Sequence, residues 1–127
     1  MRMSKQKKTA VRRCNTIIYC RRWRATVTFY RDIIGFPSAF SNDWFVELTV
    51  APRSFLSIAD EARATIRSSQ GDGITLSFEV ADVSRMRRRV IRKGIIAERV
   101  RTHPWGARCF FIHDPEGNRI EFWSKVH

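Results

Sequence analysis

Hydrophobic and polar residues follow a clear order of patterns through the first half of the chain. Residues 15–20 form a short run rich in β-branched side chains, which is typical of a strand. Apolar side chains then recur at helical spacing over residues 23–34, and Gly35 stands where such a helix ends. Three further short runs predict strands at residues 38–40, 44–50 and 54–59. The first half is therefore predicted to be β-α-β-β-β.

The same order of patterns returns in the second half. Residues 74–80 alternate between apolar and polar side chains, as a strand with one buried face does. Asp82 can cap a helix over residues 83–93, and Gly94 can end it. The last three strands are predicted at residues 95–102, 108–113 and 119–123. The chain therefore reads as two β-α-β-β-β units in tandem.

The repeat sets the predicted domain organisation and fold class. A chain of 127 residues is long enough for one domain with its own core. We expect an α+β domain over residues 14–126, with unit one at 14–60, a linker at 61–73 and unit two at 74–126. Residues 1–13 carry several cations and no acid, and we expect this basic tail to be disordered.

Basic residues outnumber acidic residues 24 to 12, which gives a net charge of +12. Half of the excess lies in the tail. A second group, the basic cluster, lies on the predicted helix over residues 83–93: Arg85, Arg87, Arg88, Arg89, Arg92 and Lys93. Such groups can bind phosphate by counterion release. No aromatic stacking motif accompanies them, so we interpret the cluster as a solvated helix face and expect no specific nucleic acid partner.

Cysteine spacing and hydropathy predict a cytoplasmic protein. Cys14, Cys20 and Cys109 are odd in number and lack C-x-x-C spacing, which favours reduced thiols over disulfides or a zinc site. No stretch approaches the ~18 consecutive apolar residues of a transmembrane helix. The charged start of the chain also lacks the apolar core of a secretory signal. We therefore expect no membrane partner.

Two motifs and the repeat resemble a known superfamily. Residues 29–36 read FYRDIIGF and residues 103–123 read HPWGARCFFIHDPEGNRIEFW. Together with the two units they resemble the vicinal oxygen chelate superfamily, which includes glyoxalase I, bleomycin-resistance proteins, extradiol dioxygenases and fosfomycin-resistance enzymes, over about residues 13–125. The resemblance implies a curved mixed-sheet cup with the helices outside. It also implies a ligand inside the cup and pairing of two chains as a homodimer.

The resemblance also implies four metal-ligand positions, on the first and last strands of each unit. In this sequence they fall on Asn15, Ser57, Thr75 and Glu121. Glu121 is the only standard ligand retained, because serine and threonine hydroxyls bind zinc, nickel or iron poorly. The three histidines are not expected to complete the metal site. His103 is predicted in a loop, His113 lies at a hairpin edge and His127 is the last residue, so we expect all three to be surface or loop histidines. We expect no metal cofactor, with a divalent metal at Glu121 as the alternative.

Alternation along the strands predicts which residues face the interior of the cup. Ten residues form this predicted ligand-binding wall: Asn15, Tyr19, Phe55, Ser57, Thr75, Ser77, Glu79, Arg119, Glu121 and Trp123. The wall mixes aromatic surface with a few polar groups, as small-molecule pockets do. Arg119 could form an ion-pair set with Glu79 and Glu121, and Arg108 is a second candidate partner for Glu121.

One position departs from the superfamily pattern. Arg22 stands before the first helix, where an acidic cap is usual. A cation there is unfavourable by up to ~1 kcal/mol, because it meets the positive end of the helix dipole. We expect either a compensating anion, supplied by a ligand, a partner or a nearby carboxylate, or screening by solvent.

Three functions remain open from the sequence. The first is a small-molecule binding or sequestering protein whose ligand is partly aromatic. The second is a metal-dependent lyase, isomerase or dioxygenase, and the third is a basic protein associated with nucleic acid. No G-x-S-x-G motif or glycine-rich phosphate loop indicates another class of enzyme. We favour the first function, because Glu121 is the only standard metal ligand retained, and keep the other two as alternatives.

Overall fold

The fold is taken from a computed structural model, which describes residues 8–126. Unit one contains β1 (Cys14–Cys20), α1 (Trp23–Thr28) with a π-helical continuation (Phe29–Ile34), β2 (Ser38–Ser41), β3 (Phe45–Ala51) and β4 (Ser54–Asp60). Unit two contains β5 (Thr75–Glu79), α2 (Val83–Arg92), β6 (Arg101–His103), β7 (Ala107–His113) and β8 (Arg119–Lys125). Residues 1–7, which belong to the tail predicted to be disordered, and His127, predicted at the surface, fall outside the described residues.

Each unit forms a four-stranded mixed sheet with the same topology. The strand orders are β1-β4-β3-β2 and β5-β8-β7-β6. In each sheet the first and last strands of the unit are parallel neighbours, with Ile17 opposite Ser57 in unit one and Ser77 opposite Glu121 in unit two. The other pairs are antiparallel. The predicted α+β class with two tandem units is therefore confirmed.

In the described part of the chain, one hydrophobic core joins the two units. It contains side chains from one face of each sheet and from both helices: Ile18, Val27, Tyr30, Leu48, Leu56, Ile58, Val83, Val90, Phe110, Ile112, Ile120 and Phe122 are among its members. Because side chains alternate along a strand, the opposite face of each sheet carries the polar residues of the predicted wall. The core thus fixes the strands that present the candidate site.

The turn between β7 and β8 supplies the anion expected before the first helix. Arg22 provides no side-chain cap for α1. Instead, the carboxylate of Glu116 accepts hydrogen bonds from the backbone N–H groups of Arg21 and Arg22 at 2.8 and 2.7 Å. The same carboxylate accepts a 2.7 Å bond from the hydroxyl of Ser68 in the linker. The expectation of a compensating nearby carboxylate is confirmed, and it comes from the other unit.

One predicted strand is largely wrong. Residues 95–102 were expected to form a strand, but only Arg101–His103 does so, and His103 lies on β6 rather than in a loop. The side chain of Arg87 donates to the backbone carbonyls of Ala97 and Glu98 at 3.4 and 2.9 Å. These carbonyls are therefore bonded to a helix side chain instead of a neighbouring strand.

Among the described residues, no helix is long and apolar enough to cross a membrane.

Candidate functional site

A cavity of about 740 Å³ lies between the two units. Its apolar lining includes Phe36 after α1, Leu56 and Phe55 on β4, Phe78 on β5 and Met86 on α2. Its polar lining includes the three residues that alternate along the open face of β5: Thr75, Ser77 and Glu79. Binding pockets for small molecules commonly have this size and this mixture of surfaces.

The structure brings only part of the predicted wall to this cavity. Phe55, Thr75, Ser77 and Glu79 line it. The other predicted wall residues lie outside its lining: Asn15, Tyr19, Ser57, Arg119, Glu121 and Trp123. Among the described residues, two of these six are joined to the lining by a hydrogen bond between side chains, since Glu121 accepts from Ser77 and Arg119 donates to Thr75.

The polar residues of the first sheet bind one another. The hydroxyl of Ser57, which is fully buried, donates to the amide oxygen of Asn15 at 2.8 Å. The Asn15 amide nitrogen donates to Glu47 at 3.4 Å, and Arg13 pairs with the same carboxylate at 2.8 Å. The guanidinium of Arg13 also lies 3.9 Å from the centre of the Phe55 ring. The end of the basic tail is thus attached to the first sheet.

The second sheet corrects the expected ion pairs. Glu121 accepts a 2.7 Å hydrogen bond from Ser77, and Arg119 donates a 2.9 Å bond to Thr75. The Arg119 guanidinium also lies 4.7 Å from the centre of the Phe111 ring. Within residues 8–126, no ion pair joins Glu121 to Arg119 or Arg108, or Glu79 to Arg119. The threonine hydroxyl and the aromatic ring take the place that the carboxylates were expected to fill.

These contacts test whether the four inherited positions fit a metal. The Asn15 oxygen is bonded to Ser57, the Thr75 hydroxyl to Arg119 and the Glu121 carboxylate to Ser77. In the part of the chain that the structure describes, no hydrogen bond joins the pair on the first sheet to those on the second. One carboxylate, one amide and two hydroxyls do not make a site for a catalytic transition metal. The inherited positions therefore do not fit the metal that the resemblance implies.

A match to a family model decides where the chain belongs. Residues 13–122 match the model described as the Glyoxalase/Bleomycin resistance protein/Dioxygenase superfamily. The chain belongs to this superfamily. Membership confirms the resemblance indicated by the tandem units and the DPEGN turn.

Solved structures of glyoxalase-superfamily proteins share the fold. A lactoylglutathione lyase from Agrobacterium tumefaciens is 24% identical, with a TM-score of 0.74 and coverage of 92% of this chain and 95% of that chain. An antibiotic-binding protein from Streptomyces sp. CB03234 is 18% identical, with a TM-score of 0.77 and coverage of 94% and 100%. Comparison with curated protein sequences gives no significant match. At these identities the likeness establishes the fold alone.

The glyoxalase-superfamily chain also holds a cluster that the sequence interpretation missed. His103 on β6, Cys109 on β7 and Glu121 on β8 each offer one donor atom, and these atoms lie within 4.8 Å of one another. The His103 Nε2 and Cys109 Sγ atoms are 2.9 Å apart. Burial, and next the negative charge of Glu121, raise the pKa of the Cys109 thiol. The alternation of side chains along β7 and β8 could be recognised in the sequence. His103 was not recognised as the third member of the cluster, because it was predicted to lie in a loop.

Two tryptophan rings lie beside this cluster. The Trp105 ring stacks on the His103 ring, with centroids 5.5 Å apart and an interplanar angle of 11°. Trp123 meets Trp105 edge-on at 5.9 Å. Trp123 is therefore a neighbour of the cluster. Tyr19 is half-buried on β1, opposite Ala59.

Half of the basic cluster on α2 is engaged within the chain. Arg87 binds the Glu98 carbonyl, Arg89 binds the Ile33 carbonyl at 3.0 Å, and Lys93 binds the Asp32 carbonyl at 3.2 Å. Three members are exposed and make no such bond within the described residues: Arg85, Arg88 and Arg92. The contacts of Arg89 and Lys93 hold α2 against the first unit, and all three contacts reduce the number of cations available to a phosphate backbone.

Proposed function

We propose that this superfamily member binds a small, partly aromatic molecule in the cavity between its units and sequesters it without chemical change. The observation that carries the proposal is the lining of the 740 Å³ cavity. Four phenylalanine rings, Phe36, Phe55, Phe78 and Phe122, offer aromatic surface, and the open face of β5 offers hydrogen-bonding groups.

The chemistry of the inherited positions supports binding over turnover. Metal-dependent members of the superfamily need four ligands, and here Asn15, Ser57 and Thr75 occupy three of these positions. Such members use the metal as a Lewis acid, and the donors at these inherited positions do not make a site for it. The antibiotic-binding protein from Streptomyces shows that the same fold occurs in a binding protein.

The experiment is an NMR screen of the whole protein with a library of compounds that contain one or two aromatic rings. We expect several fragments to shift the backbone amide signals of Phe55, Ser77 and Phe78 together. These residues lie on two different strands, so a common shift locates the fragment in the cavity. Fragments that bind only elsewhere, or no fragment binding at all, would contradict the proposal.

Catalysis is tested on the same sample. A fragment or antibiotic that binds in the cavity is incubated with the protein, with and without added zinc or nickel, and recovered for mass spectrometry. The proposal expects the recovered compound to be unchanged. A converted compound, formed only when the metal is present, would favour the alternative of a metal-dependent lyase, isomerase or dioxygenase.

We also propose that the chain works as a homodimer in the cytoplasm. Within residues 8–126, strands β1 and β5 each pair on one side only, and exposed sheet edges are commonly covered. Ile17 on β1 and Phe40 on β2 are apolar and are 40% and 54% exposed. Light scattering at micromolar concentration is expected to give twice the mass of one chain, and a monomer alone would contradict the dimer. The three free cysteines support a reducing compartment.

A further inference from the structure

We propose that the protein binds one zinc ion through His103, Cys109 and Glu121, at a site built entirely from the second sheet. The three residues lie on adjacent strands β6, β7 and β8 and face the same side of the sheet. The site shares Glu121 with the inherited positions and uses none of Asn15, Ser57 or Thr75. It does not depend on ligand binding in the cavity.

The strand register places the three donors together. Cys109 lies on the central of the three strands, opposite Arg101 on β6 and Trp123 on β8. His103 and Glu121 are each two residues away from those partners, so both are diagonal neighbours of Cys109 on one face. A donor from each strand therefore points to a common point above β7.

The donor set suits zinc. Imidazole nitrogen, thiolate sulfur and carboxylate oxygen are the three ligand types that zinc takes in proteins, and three protein ligands leave a fourth position for water. Bond lengths of ~2.0–2.3 Å in a tetrahedron put the ligand atoms ~3.3–3.6 Å apart. The present separations, 2.9 Å between His103 and Cys109 and at most 4.8 Å in the cluster, reach that arrangement through small side-chain rotations.

Neighbouring residues hold two of the ligands in place. Ser77 donates a 2.7 Å hydrogen bond to Glu121, and the Trp105 ring stacks on His103. Such contacts orient metal ligands in known sites. The nearest basic side chain on β6, Arg101, is directed to Glu98 at 3.4 Å. The positive charge of Arg101 is therefore paired with Glu98, which is not one of the three proposed zinc ligands.

Binding requires one proton to leave. The Cys109 thiol loses its proton to solvent as the Sγ–zinc bond forms, while His103 donates the lone pair of its unprotonated Nε2. Glu121 supplies the second negative charge, so the site with bound zinc is neutral. No oxidation or reduction takes place. This proposal replaces the expectation of no metal cofactor and follows the alternative of a divalent metal at Glu121.

The test uses the chelator-treated full-length protein and titrates it with Co²⁺, which reports its ligands by absorption, and then with Zn²⁺ in competition. We expect one ion per chain and a near-ultraviolet band from the cobalt–thiolate bond, displaced by zinc. Cys109→Ser should remove the band. His103→Gln and Glu121→Gln should weaken binding at least 10-fold, and Ser77→Ala by about 10–100-fold because it releases Glu121.

Matched controls separate this site from others. Three control variants change a cysteine, a histidine and an inherited metal position outside the cluster: Cys14→Ser, His113→Gln and Asn15→Ala. Each should bind cobalt and zinc as tightly as the unchanged protein does. Circular dichroism checks that each variant is folded. If the replacement of the buried Cys109 unfolds the protein, His103→Gln still tests the site, because His103 is only half-buried. A cobalt complex without a thiolate band, or equal losses in the cluster and control variants, would overturn the proposal.

Discussion

The phenol of Tyr30 donates a 2.6 Å hydrogen bond to the carboxylate of Asp114 inside the core, where both residues are buried. Tyr30 belongs to the helical segment of unit one, and Asp114 opens the turn between β7 and β8 of unit two. The same carboxylate accepts bonds from the backbone N–H groups of Glu116 and Asn118 at 2.8 and 2.9 Å. One side chain thus shapes the turn and ties it to the other unit.

Removing this hydroxyl should weaken the protein measurably. Tyr30→Phe leaves a buried carboxylate without one of its donors, which typically costs ~1–3 kcal/mol. We expect a loss of that size in the free energy of unfolding, measured by urea denaturation. Tyr19→Phe is the control, because Tyr19 is only half-buried and its hydroxyl makes no hydrogen bond within the described residues. Equal losses in the two variants would show that the Tyr30–Asp114 bond is not important for stability.

Stability should also fall at alkaline pH. Burial, then the charge of Asp114, raises the pKa of Tyr30 well above 10.0. Burial, then the charge of Glu116, raises the pKa of Cys20 above 9.0. Above these values the unfolded chain has lost protons that the folded chain keeps, so the free energy of unfolding decreases as pH rises.

Melting temperatures between pH 8 and 11 measure this effect. The unchanged protein should lose stability progressively above pH ~9. Tyr30→Phe should show a shallower decline above pH ~10, because it lacks the buried phenol. A decline of the same slope in both proteins would assign the alkaline transition to other groups.

The tandem units could be predicted because their signals are local. Helical spacing, glycine after each helix and alternation in the strands all lie within a few residues of one another. The strand predicted at residues 95–102 was largely wrong because Arg87 binds the carbonyls of Ala97 and Glu98, which is a tertiary contact. The expected Arg119–Glu121 pair was wrong for a similar reason, since Thr75 and Phe111 come from neighbouring strands.

The candidate site was predicted in part. Alternation along β5 predicts Thr75, Ser77 and Glu79 on one face, and in the structure all three line the cavity. The His103–Cys109 contact spans a hairpin, so it depends on a register that the sequence does not reveal. The side of the cavity formed by Phe36 and Met86 comes from the packing of the two units, which local patterns cannot show.

Phe55 should contribute directly to ligand affinity. For an aromatic fragment that binds in the cavity, we expect Phe55→Ala to weaken binding about tenfold, or ~1.4 kcal/mol, the scale of one aromatic contact. Isothermal titration calorimetry measures the change. Phe40→Ala is the matched control, because Phe40 is exposed on β2 and lies outside the lining. Arg13→Ala controls for the loss of the Arg13–Phe55 contact, and an equal effect of all three variants would argue against a role of the Phe55 ring.

Binding to nucleic acid should be weak. Three members of the basic cluster are bonded to backbone carbonyls, which leaves the exposed Arg85, Arg88 and Arg92 for phosphate. Fluorescence anisotropy with random duplex DNA is expected to give dissociation constants near 10⁻⁴–10⁻⁶ M at physiological salt. Nanomolar binding with a preference for one sequence would instead favour a nucleic-acid function.

The central claim is that the cavity binds an aromatic molecule without the help of a metal. Calorimetry tests it most directly: one aromatic fragment is titrated into the chelator-treated protein and then into the zinc-loaded protein. Of the four inherited metal positions only Thr75 lines the cavity, and within the described residues all four are bonded to one another or to neighbouring side chains. The account therefore predicts one fragment per chain, with the same affinity in the metal-free and zinc-loaded protein. Binding that appears only after metal is added would contradict it.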